Sequence, residues 1–161
     1  MNLRSLSMIA GLLLLAACSQ TPATNSNAGG GAGGPGTTQS TIVPGSKEDF
    51  AQNVGDRVFF DTDKSTIKAE GQQTLQRQAA WLQKYPNVTI TVEGHCDDRG
   101  TREYNLGLGD RRAHAVARAL AALGVQPNRI HTVTYGKERP AVLGDNESAW
   151  AQNRRGVTVI N

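Results

Sequence analysis

The stretch "VTITVEGHCDDRGTREYNLGLGDRRAHAVARALAALG", from Val88 to Gly124, changes its hydrophobic period partway along, and that change decides the fold. Up to His95, Val88, Ile90 and Val92 alternate with threonines and Glu93, as in a strand with one buried face. From about Arg102, Leu106, Ala113, Val116, Ala117, Leu120 and Leu123 recur at helical spacing, and Gly124 follows as a terminator. Between them lies the charged loop "CDDRGT". The pattern predicts a strand that feeds a long amphipathic helix through a short polar loop. Binding residues gather on such loops, beside the free amide donors of a helix N-terminus.

Working outward, "RVFF" from Arg57 to Phe60 predicts a strand, and "DTDKSTI" a polar turn into a helix from about Lys68 to Tyr85. Leu75, Ala79 and Leu82 mark the apolar face of that helix, and Pro86 with Asn87 stops it. Downstream, "RIHTVTYG" predicts a third strand, "ESAWAQN" a short helix and "GVTVI" a final strand. The order β-α-β-α-β-(α)-β implies an α/β (α+β) sandwich, a small mixed sheet covered by helices. The order of strands within the sheet is not fixed by these patterns.

The N-terminal part reads differently. Arg4 precedes the apolar run "MIAGLLLLAA", too short to span a bilayer, which ends at Cys18. Residues 1–17 are therefore expected to be a signal peptide. "LAAC", Leu15 to Cys18, resembles a bacterial lipobox, so Cys18 is the expected lipidation site, and Ser19 after it implies the outer membrane. Residues 18–46 carry no formal charge and include "NAGGGAGGPG", the composition of a flexible tether spanning about 30 Å when relaxed. Every charge apart from Arg4 lies from Lys47 onward, so residues 47–161 are expected to form one domain. Its positive and negative residues are interspersed and no aromatics interleave with the basic ones, which argues against nucleic acid as a partner. With Cys18 acylated, Cys96 is left alone and no internal disulfide forms.

His95, Cys96 and Asp97 stand in a row, each of a type used in nucleophilic chemistry. Strand alternation, however, points Cys96 away from the other two and from the ligand side, and neither His114 nor His131 has metal-ligand spacing with His95. A different set is more coherent. Asn105, Leu108 and Arg112 share one stripe of the helix, with Asp97 on the loop before it. A carboxylate at one end and a guanidinium fork at the other suit a zwitterion. The residues alone leave open whether these groups receive a ligand, or whether Asp97 caps the helix and Arg112 merely pairs with it or with Asp110.

"FFDTDKSTI", "TVEGHCDDRGTREYNLGLGDRRAHAV", "TVTYGKERPAVLGDNESAWAQNRRGV" and the lipobox together resemble the OmpA-like family of peptidoglycan-binding domains, over the whole of residues 47–161. The resemblance implies an OmpA-like domain that binds the meso-diaminopimelate of the peptidoglycan stem peptide noncovalently, through Asp63, Asp97, Asn105, Leu108 and Arg112. It also implies TolB as a protein partner, a lipid anchor in the outer membrane with the domain facing the periplasm, and a part in envelope integrity and cell division. It implies no catalytic residue, metal or cofactor. A module whose arginine patch docks a protein alone is the competing expectation. Cys96 departs from the family pattern, where many relatives have Ala or Thr. Asn153 and Arg154 are expected to buttress, Arg111, Arg118 and Arg129 to lie on the solvated face, and Tyr104 and Trp150 to serve the core.

Overall fold

The computed structural model describes residues 42–161. The signal peptide, Cys18 and nearly all of the tether lie outside the described residues. Ser46, placed in the tether by its composition, is the cap of the first helix: its hydroxyl accepts from the Asp49 amide at 3.1 Å. That helix, α1 (Lys47–Asp49), continues as a single π-helical turn, Phe50–Val54, which ends at Gly55 with φ 91°. Strand β1 (Arg57–Phe59), helix α2 (Ala69–Lys84), strand β2 (Ile90–His95) and helix α3 (Arg102–Ala122) follow. A 3₁₀ turn at Pro127–Arg129 leads into β3 (Ile130–Gly136), and α4 (Glu147–Asn153) precedes β4 (Arg155–Ile160).

The four strands form one mixed sheet in the order β1-β4-β2-β3. β4 runs antiparallel to both β1 and β2, whereas β2 and β3, joined by α3, are parallel. This is the expected α/β architecture, with the last strand inserted between the first two. Ile90 and Val92 of β2, Leu75 and Leu82 of α2, and Val116 and Leu120 of α3 are all essentially excluded from solvent. Each such side chain contributes about 1.5–3 kcal/mol. Gln78 of α2 is equally buried, and is satisfied by donating to Gly55 O at 2.7 Å and accepting from Thr158 Oγ1 at 2.9 Å.

The buried face of α3 keeps Ala113, Val116 and Leu120 of the expected apolar pattern but not Leu106 or Leu123. Asn105, Leu108, Gly109, Arg112, Ala113, Val116 and Leu120 face inward, while Leu123 is 36% exposed and Leu106 only partly covered. Glycines make this seating possible. A Cβ on Gly94 would lie 1.8 Å from Gly109 O, so only two glycines allow the helix backbone to rest on β2 there. The first turns of α3 are thereby held against the C-terminal end of β2.

Arg129 is also not on the solvated face. It donates to Val88 O at 2.8 Å, Leu82 O at 3.0 Å and Tyr85 O at 2.9 Å, closing the C-terminus of α2, where helix carbonyls lack partners. Nearby, Asp49 accepts from Gly45 N at 2.8 Å, Asn53 Nδ2 at 2.8 Å and Trp81 Nε1 at 2.9 Å. The Gly45 amide first, then Asn53 and Trp81, pull its carboxyl down to about 2.

Candidate functional site

Three segments converge at the C-terminal end of β2: the β1–α2 loop, the β2–α3 loop and the first three turns of α3. Between them is a pocket of about 300 Å³ whose lining includes Asp63, Asp97, Asn105, Leu108 and Arg112. All five residues singled out in the sequence thus share one cavity. Thr101 begins α3, its hydroxyl accepting from Tyr104 N at 3.2 Å, so Asp97 is not the cap. Asn105 fixes the loop from below by donating to Arg99 O at 2.7 Å and Thr101 O at 3.0 Å.

Arg112 is fully buried and ties the β1–α2 loop to the end of β2. Its Nε donates to Lys64 O at 2.8 Å, Nη1 to His95 O at 2.8 Å and Nη2 to Asp61 O at 3.0 Å. A guanidinium has five N–H groups, so one remains on each Nη. Burial pushes its pKa below the ordinary arginine value, but arginine stays charged in proteins. Among the described residues this cation forms no ion pair with a carboxylate, and the expected alternative of an Asp97–Arg112 pair does not occur.

Asp97 instead accepts from Arg99 Nη2 at 2.7 Å and from Arg154 Nη1 at 3.3 Å, and its Oδ1 accepts from the Arg99 amide at 3.3 Å. Burial raises its pKa, but the bonds from Arg99 and Arg154 outweigh this and hold the carboxyl below its usual range. Arg154 also donates to Phe60 O at 3.1 Å and to Glu147 at 2.5 Å. Asn153 accepts at Oδ1 from the amides of Ala141 and Val142, at 2.7 and 3.1 Å. Both act as the expected buttresses. Asp63 stands exposed on the rim with φ 60°, a left-handed conformation that aspartate tolerates, and accepts from the Tyr104 hydroxyl.

Cys96 does not face away from this pocket; it lines it. Alternation fails because the β2–β3 register shifts between Gly94 and His95, and β2 ends at His95, before the cysteine. The thiol donates to Asn105 O at 3.3 Å, and burial pushes its pKa up, with the Arg112 charge opposing. His95 points elsewhere, to Glu93 at 3.1 Å, and burial followed by the Arg155 charge lowers its pKa. Cysteine and histidine therefore form no nucleophilic pair.

Tyr104 and Trp150 also depart from their expected core roles. Tyr104 is 48% exposed at the rim, and half-buried Trp150 carries the Arg99 guanidinium 4.1 Å from its ring centre. Thr62, Arg99 and Gly100 complete the lining. The spacing of Thr101, Tyr104, Asn105, Leu108 and Arg112 along one stripe is the signal that places Tyr104 beside the site.

A mixed four-stranded sheet with its pocket at this loop cluster accompanies a match to the model of the OmpA family over residues 59–154, and the chain belongs to that family. Within it, the chain is 55% identical to the peptidoglycan-associated lipoprotein of Agrobacterium fabrum, over 92% of this chain and 82% of the relative. It is 42% identical to the protein of the same name from Haemophilus influenzae, over 96% and 95% of the two chains. The crystal structure of the peptidoglycan-associated lipoprotein from Burkholderia pseudomallei superposes with a TM-score of 0.68 at 40% identity, over 72% of this chain and all of that one. The C-terminal domain of Helicobacter pylori MotB superposes at 0.62 with 27% identity, covering 66% of this chain and 84% of that domain.

Proposed function

We propose that this chain is an outer-membrane lipoprotein whose periplasm-facing domain binds peptidoglycan noncovalently through the meso-diaminopimelate of the stem peptide. One observation carries the reading: Arg112 is a buried cation that lines a pocket, has no acidic partner among the described residues, and keeps two N–H groups that no oxygen of the described residues accepts. A buried charge left unpaired is costly, and an incoming carboxylate relieves that cost. Two N–H groups, one on each Nη, suit a bidentate grip. Asp97 and Asp63 supply acceptors for the ligand's ammonium, Asn105 adds an amide and Leu108 an apolar contact for its methylenes. The free end of diaminopimelate carries both charges.

Lipidation at Cys18 anchors the chain in the outer membrane, and the domain links that membrane to the cell wall as part of the Tol-Pal system, with TolB as its protein partner. This linkage supports envelope integrity and cell division. Sedimentation with purified sacculi tests the reading. The domain pellets with sacculi and is released by a diaminopimelate-containing stem peptide, whereas a stem peptide with lysine in its place releases it poorly. Equal release by both peptides removes diaminopimelate as the recognised group.

A further inference from the structure

The Arg99 side chain lines the pocket and links two of its walls, the β1–α2 and β2–α3 loops, while also reaching Trp150 outside the lining. Its Nη2 donates to Asp97 Oδ2 at 2.7 Å and to Thr62 Oγ1 on the opposite loop at 3.3 Å, and its guanidinium rests 4.1 Å from the centre of the Trp150 ring on α4. Its backbone is fixed separately, by the amide bond to Asp97 Oδ1 and the carbonyl bond from Asn105. The side chain nevertheless remains 39% exposed, while that of Asp97 is 10% exposed. Asp97 is thus a buried anion whose outward-facing partner is a long, partly exposed cation, and whose inward partner, Arg154, is itself buried and tied to Phe60 O.

We propose that Arg99 is a built-in surrogate for the ligand's ammonium, a strap that holds Asp97 until a ligand cation displaces it. This rests on the zwitterion reading above. A cationic ligand group reaching Asp97 meets Arg99 first, because Arg154 fills the buried side. Trp150 offers the displaced guanidinium a place to remain, since a cation over an indole face is attracted there without a counter-ion. Arg99 therefore sets the threshold for binding: a ligand with a carboxylate alone leaves the strap in place, whereas one with an ammonium of its own exchanges with it. The residue acts on selectivity through Asp97 and is not itself a holder of the ligand.

Calorimetry with a diaminopimelate-containing stem peptide on the wild-type domain, Arg99→Met and Arg99→Lys tests this, beside the NMR signal of the Arg99 Nε–H group in the wild type. Methionine keeps the stem length and loses the competing cation, so Arg99→Met binds about fivefold tighter, which corresponds to about 1 kcal/mol at 1.4 kcal/mol per tenfold. Lysine still offers a cation to Asp97 and stays within about twofold of wild type. The Arg99 Nε–H signal shifts on titration with the stem peptide and stays put with N-acetylated D-alanine, which has a carboxylate and no ammonium. Equal or weaker binding by Arg99→Met, or an unmoved Arg99 signal in a wild-type domain that does bind the stem peptide, overturns the strap. A wild-type domain that binds no stem peptide at all refutes the diaminopimelate reading itself, and the strap with it.

Discussion

Replacing Arg112 by lysine keeps the charge and removes the planar fork, and the structure sets the size of the loss. Arg112 uses three different nitrogens to reach Lys64 O and Asp61 O in the β1–α2 loop and His95 O at the end of β2. An ammonium has three N–H donors but only one nitrogen, so it cannot reproduce three bonds made from three positions, and the expectation is that about two of these carbonyls lose their donor in Arg112→Lys. A hydrogen bond to a charged group contributes about 1.5–3 kcal/mol, which puts the expected destabilisation at about 3–6 kcal/mol. Against a total stability of about 5–15 kcal/mol for a domain, that is a large fraction. Urea denaturation followed by circular dichroism measures it, with the midpoint falling and the m-value unchanged. Stem-peptide binding, measured in the same variant where more than nine-tenths remains folded, falls as well, because the two spare N–H groups disappear with the fork. A stability loss below about 1 kcal/mol refutes the clamp between that loop and β2, since the three bonds would then be replaceable by one ammonium.

Gly94→Ala drives a methyl into Gly109 O, and overpacking of this kind costs about 1–3 kcal/mol or more; a melting temperature within a degree of wild type contradicts the close seating of α3 on β2. Cys96→Ala loses the weak bond to Asn105 O and some packing, about 1 kcal/mol, and keeps stem-peptide binding within a few-fold; abolished binding in a variant that still melts cooperatively gives the thiol a ligand role. Cys18→Ser is expected to leave the chain unacylated and absent from outer-membrane fractions, and unchanged recovery there counts against lipidation. Acid titration reads the carboxylates. Asp49, at about 2 when folded, and Asp97, also lowered, contribute stability that is fully present above the unfolded aspartate value near 3.9 and is lost as pH falls through their folded values. Asp49→Asn therefore flattens the stability curve between about pH 4 and pH 2, and an unchanged slope removes Asp49 from that account.

The strand–loop–helix at Val88 to Gly124 was readable because its period changes sharply, although the residue that caps the helix is Thr101 and not Asp97. The inward face of α3 was less so. Two of its positions are Asn105 and Arg112, polar residues buried because they bond to loop carbonyls, and a third is Gly109, chosen for closeness rather than hydrophobicity. An apolar pattern passes over all three and promotes Leu106 and Leu123 in their place. Cys96 was misdirected by an irregularity that no single strand reveals, since a register shift exists only relative to β3. Arg129 looked like solvated charge for the same reason: the carbonyls it closes, at Leu82, Tyr85 and Val88, come from a distant part of the chain. The insertion of β4 between β1 and β2 is likewise a long-range pairing without a local signature.

The aspartate at the N-terminal clasp has a mechanical meaning. Asp49 fastens Gly45 to Trp81, near the C-terminal end of α2, whereas the pocket lies beyond the other end of that helix. α2 has 16 residues and is about 24 Å long at 1.5 Å per residue, so the point where the chain enters the domain and the point where a ligand would hold it sit at opposite poles. Under the proposed anchoring, tension between membrane and cell wall would run lengthwise along α2 and β2. It would then load the hydrogen bonds between β2 and β4 all together, in shear, instead of opening them one after another from an end. A tether attached beside the pocket would pull on the loops directly; attached here, the pull would enter at the end of α2 away from the pocket.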